Sequence, residues 1–140
     1  MHKIQFINFP SIALDPQHLI LWLEDLCVHF NVSIEQFAVH FIGKDKMLEM
    51  NQKYLNHDTH TDILTFDYGN QQVINAELFV SEYMCGLNAV ENAQSIEKET
   101  LRLISHGFLH TIGFSDKKPE DKILMTEQED RCLQMFHVKQ

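Results

Sequence analysis

Long apolar runs are absent. The longest, Leu19 to Leu23, is five residues, against the roughly 20 that a membrane helix needs, so no bilayer span and no membrane partner are expected. The opening segment Met1-His2-Lys3-Ile4-Gln5-Phe6 lacks the apolar stretch and small-residue cleavage site of a secretory signal, which makes the cytoplasm the expected compartment. Cysteine is scarce and odd in number, at Cys27, Cys85 and Cys132 with no CxxC. Reduced thiols are expected, neither bridged nor zinc-bound. Glycine and proline are few, five and three, and scattered, so no linker, repeat or low-complexity segment divides the chain. Positive charge is in the minority: 11 Lys and Arg against 20 Asp and Glu give −9 with histidine neutral, and pI ≈ 5.3. That excludes a broadly basic nucleic-acid binder, whose domain pI exceeds about 9. It leaves room for a local basic cleft or a ribonucleoprotein partner; DNA is not an expected ligand.

What is present suffices for one domain spanning residues 1–140, since a domain typically takes roughly 100–200 residues and one of this size buries about 68–70% of its unfolded surface. A composition that is 44% hydrophobic and 22% charged excludes disorder, collagen and coiled coil as the main state. Lys3 to Phe9 alternates and reads as a strand. Asp15-Pro16 starts a helix, with Leu19, Trp22, Leu23, Leu26 and Phe30 recurring at helical spacing. A strand over Gln36 to Ile42 ends at Gly43, and a short helix over Lys44 to Leu55 carries Met47 and Met50 inward as core. Asp62 to Tyr68 and Val73 to Val80 are close enough in sequence to form an antiparallel hairpin, the first with Leu64, Phe66 and Tyr68 on one face, the second with Ile74, Ala76, Leu78 and Val80. Helices are expected over Ser81–Asn92, Ser95–Ile112 and Pro119–His137, where Glu120 and Asp121 complement the helix dipole. The expected fold is α/β (α+β): a small four-stranded mixed sheet packed with about five helices.

Histidine is the abundant type, nine in all, and two of them lie in the helix Ser95–Ile112. Its second half is apolar nearly all round, with Leu101, Leu103, Ile104, Phe108, Leu109 and Ile112, which places it inside the domain. His106 and His110, four apart, share one face. Gly113 then stops the helix, and Asp116 follows three residues on. His106, His110, Gly113 and Asp116 match the long zincin pattern H-x-x-x-H-x-x-G-x-x-[HD]. Two imidazoles and a carboxylate form a zinc ligand set that leaves a fourth position for water. The alternative is a pair of core histidines, which would need hydrogen-bond partners that an apolar helix hardly supplies. Metallopeptidases carry a glutamate general base after the first histidine; Gly107 stands there instead, and allows a strand or a substrate to approach closely.

His106-Gly107-Phe108-Leu109-His110-Thr111-Ile112-Gly113-Phe114 resembles the signature H-G-x-L-H-x-x-G-[YF] of the YbeY family, bacterial metal-dependent endoribonucleases of rRNA maturation. Asn51-Gln52-Lys53-Tyr54 and Thr61-Asp62-Ile63-Leu64-Thr65-Phe66 resemble that family's N-x-x-Y and T-[DN]-[VI]-L-S-F, and Glu77-Leu78-Phe79-Val80-Ser81 its D-I-x-I-S. These motifs run in order over roughly residues 44–116. The resemblance implies an α/β fold with a central helix, one zinc or similar divalent ion per chain on His106, His110 and a third residue, and cleavage of single-stranded RNA. It also implies a role in 16S rRNA 3′-end maturation and ribosome quality control, with rRNA, the small ribosomal subunit and its proteins as partners. The pattern is departed from in three places: Asp116 stands for the third histidine, Leu55 for an arginine, and the pair Ala76-Glu77 for Gly-Asp.

The expected chemistry is attack on a phosphodiester by water or a 2′-hydroxyl that the ion activates. Glu77 is the candidate general base; its alternative is a solvated strand glutamate. Lys117 and Lys118 beside Asp116, with Lys44, Lys46 and Lys53, are the positive charges open to phosphates, or simply solvated surface. His57-Asp58-Thr59-His60-Thr61-Asp62 reads as a second metal site, a cleft lining, or a polar loop with capping aspartates. Two other functions compete: a metallohydrolase of another substrate, which Gly107 disfavours, and a metal-stabilised ribosome-assembly binding factor without turnover, which the acidic surface and Leu55 favour.

Overall fold

Sheet pairing follows the apolar alternation read from the sequence. The computed structural model describes residues 3–55 and 61–138, with backbone alone at 55, 137 and 138. In chain order the elements are β1 (Ile4–Ile7), α1 (Pro16–Phe30), β2 (Ser33–Ile42), α2 (Lys44–Met50) and a π-helical turn over Asn51–Leu55, then β3 (Ile63–Asp67), β4 (Val73–Ser81), α3 (Glu82–Glu91), α4 (Ile96–Thr111) and α5 (Pro119–Val138). The four strands lie in the order β1-β2-β4-β3. β1 and β2 are parallel, as are β2 and β4, while β3 runs antiparallel to β4. The expected mixed sheet and its hairpin are therefore what the chain forms.

Each face of the sheet buries a separate apolar cluster. On one, Ile74, Ala76, Leu78 and Val80 of β4 and Phe37, Val39 and Phe41 of β2 pack with α1, α4 and α5. Trp22 anchors α1 there: its indole N–H donates to the Cys132 carbonyl at 2.8 Å, and its ring meets Phe136 edge-on at 5.5 Å. A fully buried aromatic or leucine of this kind contributes roughly 1.5–3 kcal/mol. On the other face Met47, Met50 and Leu64 form a smaller cluster with Phe66 and Phe79 against it, so the Met-rich segment is core packing as expected. Among the described residues no helix is long and apolar enough to cross a membrane.

Capping residues fall where the side chains allow. Asp15 accepts from the Gln17 N–H at 3.0 Å, with Pro16 as the first helical residue of α1. Ser81 accepts from Met84 and Ser95 from Lys98. The helix expected over Lys44 to Leu55 is α for its first part only. Asn51, fully buried, donates to the Met47 carbonyl at 3.1 Å and accepts from the Thr61 hydroxyl at 2.8 Å, and from Asn51 the turn widens to π geometry. β2 starts three residues earlier than the alternation predicts, at Ser33, with an irregularity in register between Ile34 and Gln36.

Candidate metal centre

α4 has a dry side and a polar side. On the dry side, Gly107 meets the sheet: a Cβ there would lie 2.8 Å from Leu78 Cγ and 3.1 Å from Ile63 Cδ1. Real Cβ atoms essentially never come as close as the Leu78 contact, and the Ile63 contact is tight, so glycine is what lets β3 and β4 seat against the helix. Of the two neighbours expected for Gly107, the strand is the one present. The same contact leaves no room for a glutamate of the peptidase kind.

On the polar side His106 and His110 project one turn apart, their ring centroids 4.5 Å apart and nearly perpendicular. The helix then ends in a Schellman turn: the Gly113 N–H donates to the His110 carbonyl at 3.2 Å and Phe114 to the Leu109 carbonyl at 3.0 Å, with Gly113 at φ +108°. This reversal brings Asp116 back over the helix end. Its Oδ2 lies 3.2 Å from His106 Nε2 and 3.6 Å from His110 Nε2, and the two Nε2 atoms are 3.0 Å apart. One donor atom from each residue falls within a 4.8 Å cluster, and all three residues are half-buried. Ligands about 2.0–2.1 Å from a tetrahedral zinc stand roughly 3.3 Å from one another. The observed separations bracket that value, so the donor set fits such an ion in type and in spacing.

Behind His106 stands a residue that the sequence motifs do not single out. His106 Nδ1 is 2.6 Å from Oε2 of Glu129, a buried residue of α5. The other carboxylate oxygen accepts from Arg102 Nη1 at 2.9 Å, and Arg102 Nη2 donates to Asp130 at 2.8 Å. A carboxylate can only accept, so the proton of this bond belongs to Nδ1; Asp116, equally an acceptor, faces Nε2, which offers its lone pair only when the ring is neutral. Burial lowers the His106 pKa, but the hydrogen bond and charge of Glu129, with Asp116 and Asp62, outweigh it and leave it above the ordinary imidazole value. The core-histidine alternative required partners from outside the helix; α5 supplies one. A signal for Glu129 did exist in the sequence, because it interrupts the apolar row Met125, Cys132, Leu133 and Phe136 on the buried stripe of α5.

Other candidate residues lie elsewhere. Glu77 alternates with Ala76 and Leu78 and so points to the opposite face of β4 from α4. There it bonds His40 Nε2 at 2.9 Å and accepts from the Tyr68 hydroxyl at 3.0 Å. It is not brought to the histidine cluster. Lys117 and Lys118 are exposed next to Asp116, whereas Lys44 and Lys53 sit over the rings of Tyr83 and Tyr54 and Lys46 lies 3.8 Å from Glu49. His57, Asp58, Thr59 and His60 and the Leu55 side chain lie outside the described residues. Asp62 accepts from Asn88 at 3.1 Å. Cys27, Cys85 and Cys132 are buried and free, with burial the main cause of thiol pKa values near 11, 11 and 12. Among the described residues none of them joins a metal cluster.

The family model described as "Endoribonuclease YbeY" matches residues 13–137. Two proteins named Endoribonuclease YbeY are each 37% identical to the chain. One, from Flavobacterium psychrophilum, aligns over 121 residues, 86% of each chain. The other, from Flavobacterium johnsoniae, aligns over 138 residues, 96% of this chain and 99% of its own. The solution structure of a protein from Thermotoga maritima superposes with a TM-score of 0.66 at 25% identity, over 97% of this chain and 90% of that one.

Proposed function

Since the chain belongs to the YbeY endoribonuclease family, we propose that this nuclease is zinc-dependent, that it cuts single-stranded RNA at the 3′ end of 16S rRNA during maturation and ribosome quality control in the cytoplasm, and that His106, His110 and Asp116 hold the ion. The observation that carries the reading is the convergence of those three donors at the end of α4, inside the segment that resembles the family signature. When bound, zinc supplies a Lewis acid that lowers the pKa of water and offsets charge on a phosphoryl oxygen.

The chain's own groups do the rest. His106 and His110 offer imidazole nitrogens from one rigid helix, and Asp116 adds a carboxylate oxygen. Aspartate is harder than the histidine the family pattern carries there, so the ion is held with less preference for zinc over other divalent cations. With a carboxylate among its ligands, an ion held there would acidify a bound water less than a three-histidine set would. Lys117 and Lys118, exposed and adjacent in sequence to Asp116, are cations open to a phosphate. With two lysines on a protein of charge −9, RNA binding is weak and falls as salt rises. Rim contacts with small-subunit proteins would then supply part of the affinity.

The test is elemental analysis of protein purified without a metal-affinity tag, beside His110→Ala and Asp116→Ala, followed by cleavage of a single-stranded RNA spanning the 16S 3′ end. Zinc at about one per chain, lost in both variants together with cleavage, is the expected result. Full zinc with no cleavage by the parent protein would leave the assembly-factor reading, which the acidic surface favours. Zinc indifferent to both substitutions would sink the ligand assignment.

A further inference from the structure

We infer that Glu129, itself oriented by Arg102, is a positioning residue that fixes the tautomer and ring orientation of His106 for metal binding. The role rests on the metal centre proposed above and goes beyond its ligand set. Three observations carry it. Glu129 is buried at 7% exposure, where an unpartnered carboxylate would be costly. Its Oε2 lies 2.6 Å from His106 Nδ1, the ring nitrogen that points away from Asp116 and His110. Its Oε1 is taken by Arg102 at 2.9 Å, and Arg102 is held in turn by Asp130 at 2.8 Å. The chain Asp130–Arg102–Glu129–His106 thus joins α5 to α4 and ends at the back of a ligand ring.

A metal-binding imidazole has two problems to solve: which nitrogen carries the proton, and how the ring is turned. Glu129 addresses both. As an acceptor it holds the proton at Nδ1, so that in the neutral ring it is Nε2 that offers a lone pair beside the other donors. As a fixed hydrogen-bond partner it restricts rotation about the ring's side-chain bonds, so less entropy is lost when the ion binds. Loss of such a partner typically costs 10–100-fold in metal affinity. Arg102 makes the carboxylate irreplaceable by its amide. In Glu129→Gln the single amide oxygen is claimed by the guanidinium, the NH2 group then faces Nδ1, and the proton moves to Nε2, the atom the ion needs.

The test uses nitrogen NMR of the imidazoles in metal-free full-length protein, with zinc titration of the same samples. Wild type should show His106 protonated at Nδ1. Glu129→Gln should show it protonated at Nε2 and bind zinc roughly 10–100-fold more weakly. Adding Arg102→Met to Glu129→Gln frees the amide oxygen to turn and accept from Nδ1, so the double variant should recover the Nδ1 tautomer and most of the affinity. A purely structural contact would not be rescued by removing a second partner. A neutral wild-type His106 ring protonated at Nε2 and not at Nδ1 overturns the inference with no variant needed, even if Glu129→Gln fails to fold. So does a folded Glu129→Gln that keeps wild-type tautomer and affinity, or a folded double variant no better than the single. Wild type that takes up no zinc overturns the metal centre itself and this role with it, an outcome the wild-type titration separates from failure of the role alone.

Discussion

The two sides of α4 follow opposite rules. Toward the sheet, the space at Gly107 is closed by Leu78 and Ile63 to the point that one methyl group does not fit. Toward Asp116 and Glu129, two imidazoles and two carboxylates form one polar cluster, with Arg102 paired to Glu129 behind it. Precision on the second side depends on rigidity on the first. A helix free to slide or roll by an ångström would move both histidines relative to a turn and to a helix that it does not control. The dry side thus contributes to the chemistry without touching it.

Substitutions on the two sides should separate the roles, and the largest effect falls on the polar side. His110→Ala removes one of three donors, and RNA cleavage should fall to background with zinc content near zero, while the melting temperature of the metal-free protein barely moves. A metal-free melting point lowered as much as a core deletion would erase the distinction between the sides. Next comes Gly107→Ala, which must displace Leu78, a fully buried strand residue. Overpacking of this sort costs about 1–3 kcal/mol, to be read by denaturant unfolding. Weaker zinc binding should accompany it, although no ligand is changed. Gly113→Ala places a side chain at φ +108°, beyond ordinary reach for an L-residue, at a cost of about 1–2 kcal/mol. Since Gly113 controls the return to Asp116, this variant should lose more zinc affinity per unit of stability lost than Gly107→Ala. Glu77→Gln, on the far face of the sheet, should leave zinc content untouched and change stability by less than about 1 kcal/mol, since its pair with His40 is partly exposed. Smallest of all should be the response to thiol reagents at pH 8: with pKa values near 11, 11 and 12, the buried thiols stay protonated and unlabelled until the protein unfolds. Rapid labelling of native protein would show that the core opens more than this packing permits.

Most of the fold was legible because its signals are local. Asp15-Pro16, Ser95 and Gly113 mark helix ends through bonds to residues two to four positions away, and β4 announces itself by strict alternation. The clustering of His106, His110 and Asp116 was legible for the same reason, since the three lie on one helix and the turn that ends it. Glu129 was not. It pairs with His106 and Arg102 across a helix interface, and sequence shows only a charge on an apolar stripe without saying what neutralises it. The π turn at Asn51 is likewise tied to Thr61, ten residues further along the chain. The early start of β2 depends on pairing with β4, which carries exposed Ser33 and Glu35 into a strand their own polarity does not predict. Glu77 shows the reverse failure: alternation correctly put it on the face opposite Leu78, but only the packing of α4 reveals which face holds the histidines.

Because His106, His110 and Asp116 are neighbours along the chain, an ion bound there ties together no distant segments. Loop-closure entropy is small for so short a span, so the unfolded chain already keeps these groups within reach of one another and retains some affinity of its own. Affinity for the unfolded state subtracts from any stabilisation that binding gives the folded one. Chelation should therefore silence the site and lower the melting temperature only slightly, as thermal unfolding with and without a chelator would record. The same locality has a kinetic side: α4 and its turn can assemble the ligand set before the parallel strands have paired, since contacts of short sequence separation form first. Only Glu129 must wait for α5 to dock, which makes the tautomer of His106 the last part of the centre to be decided.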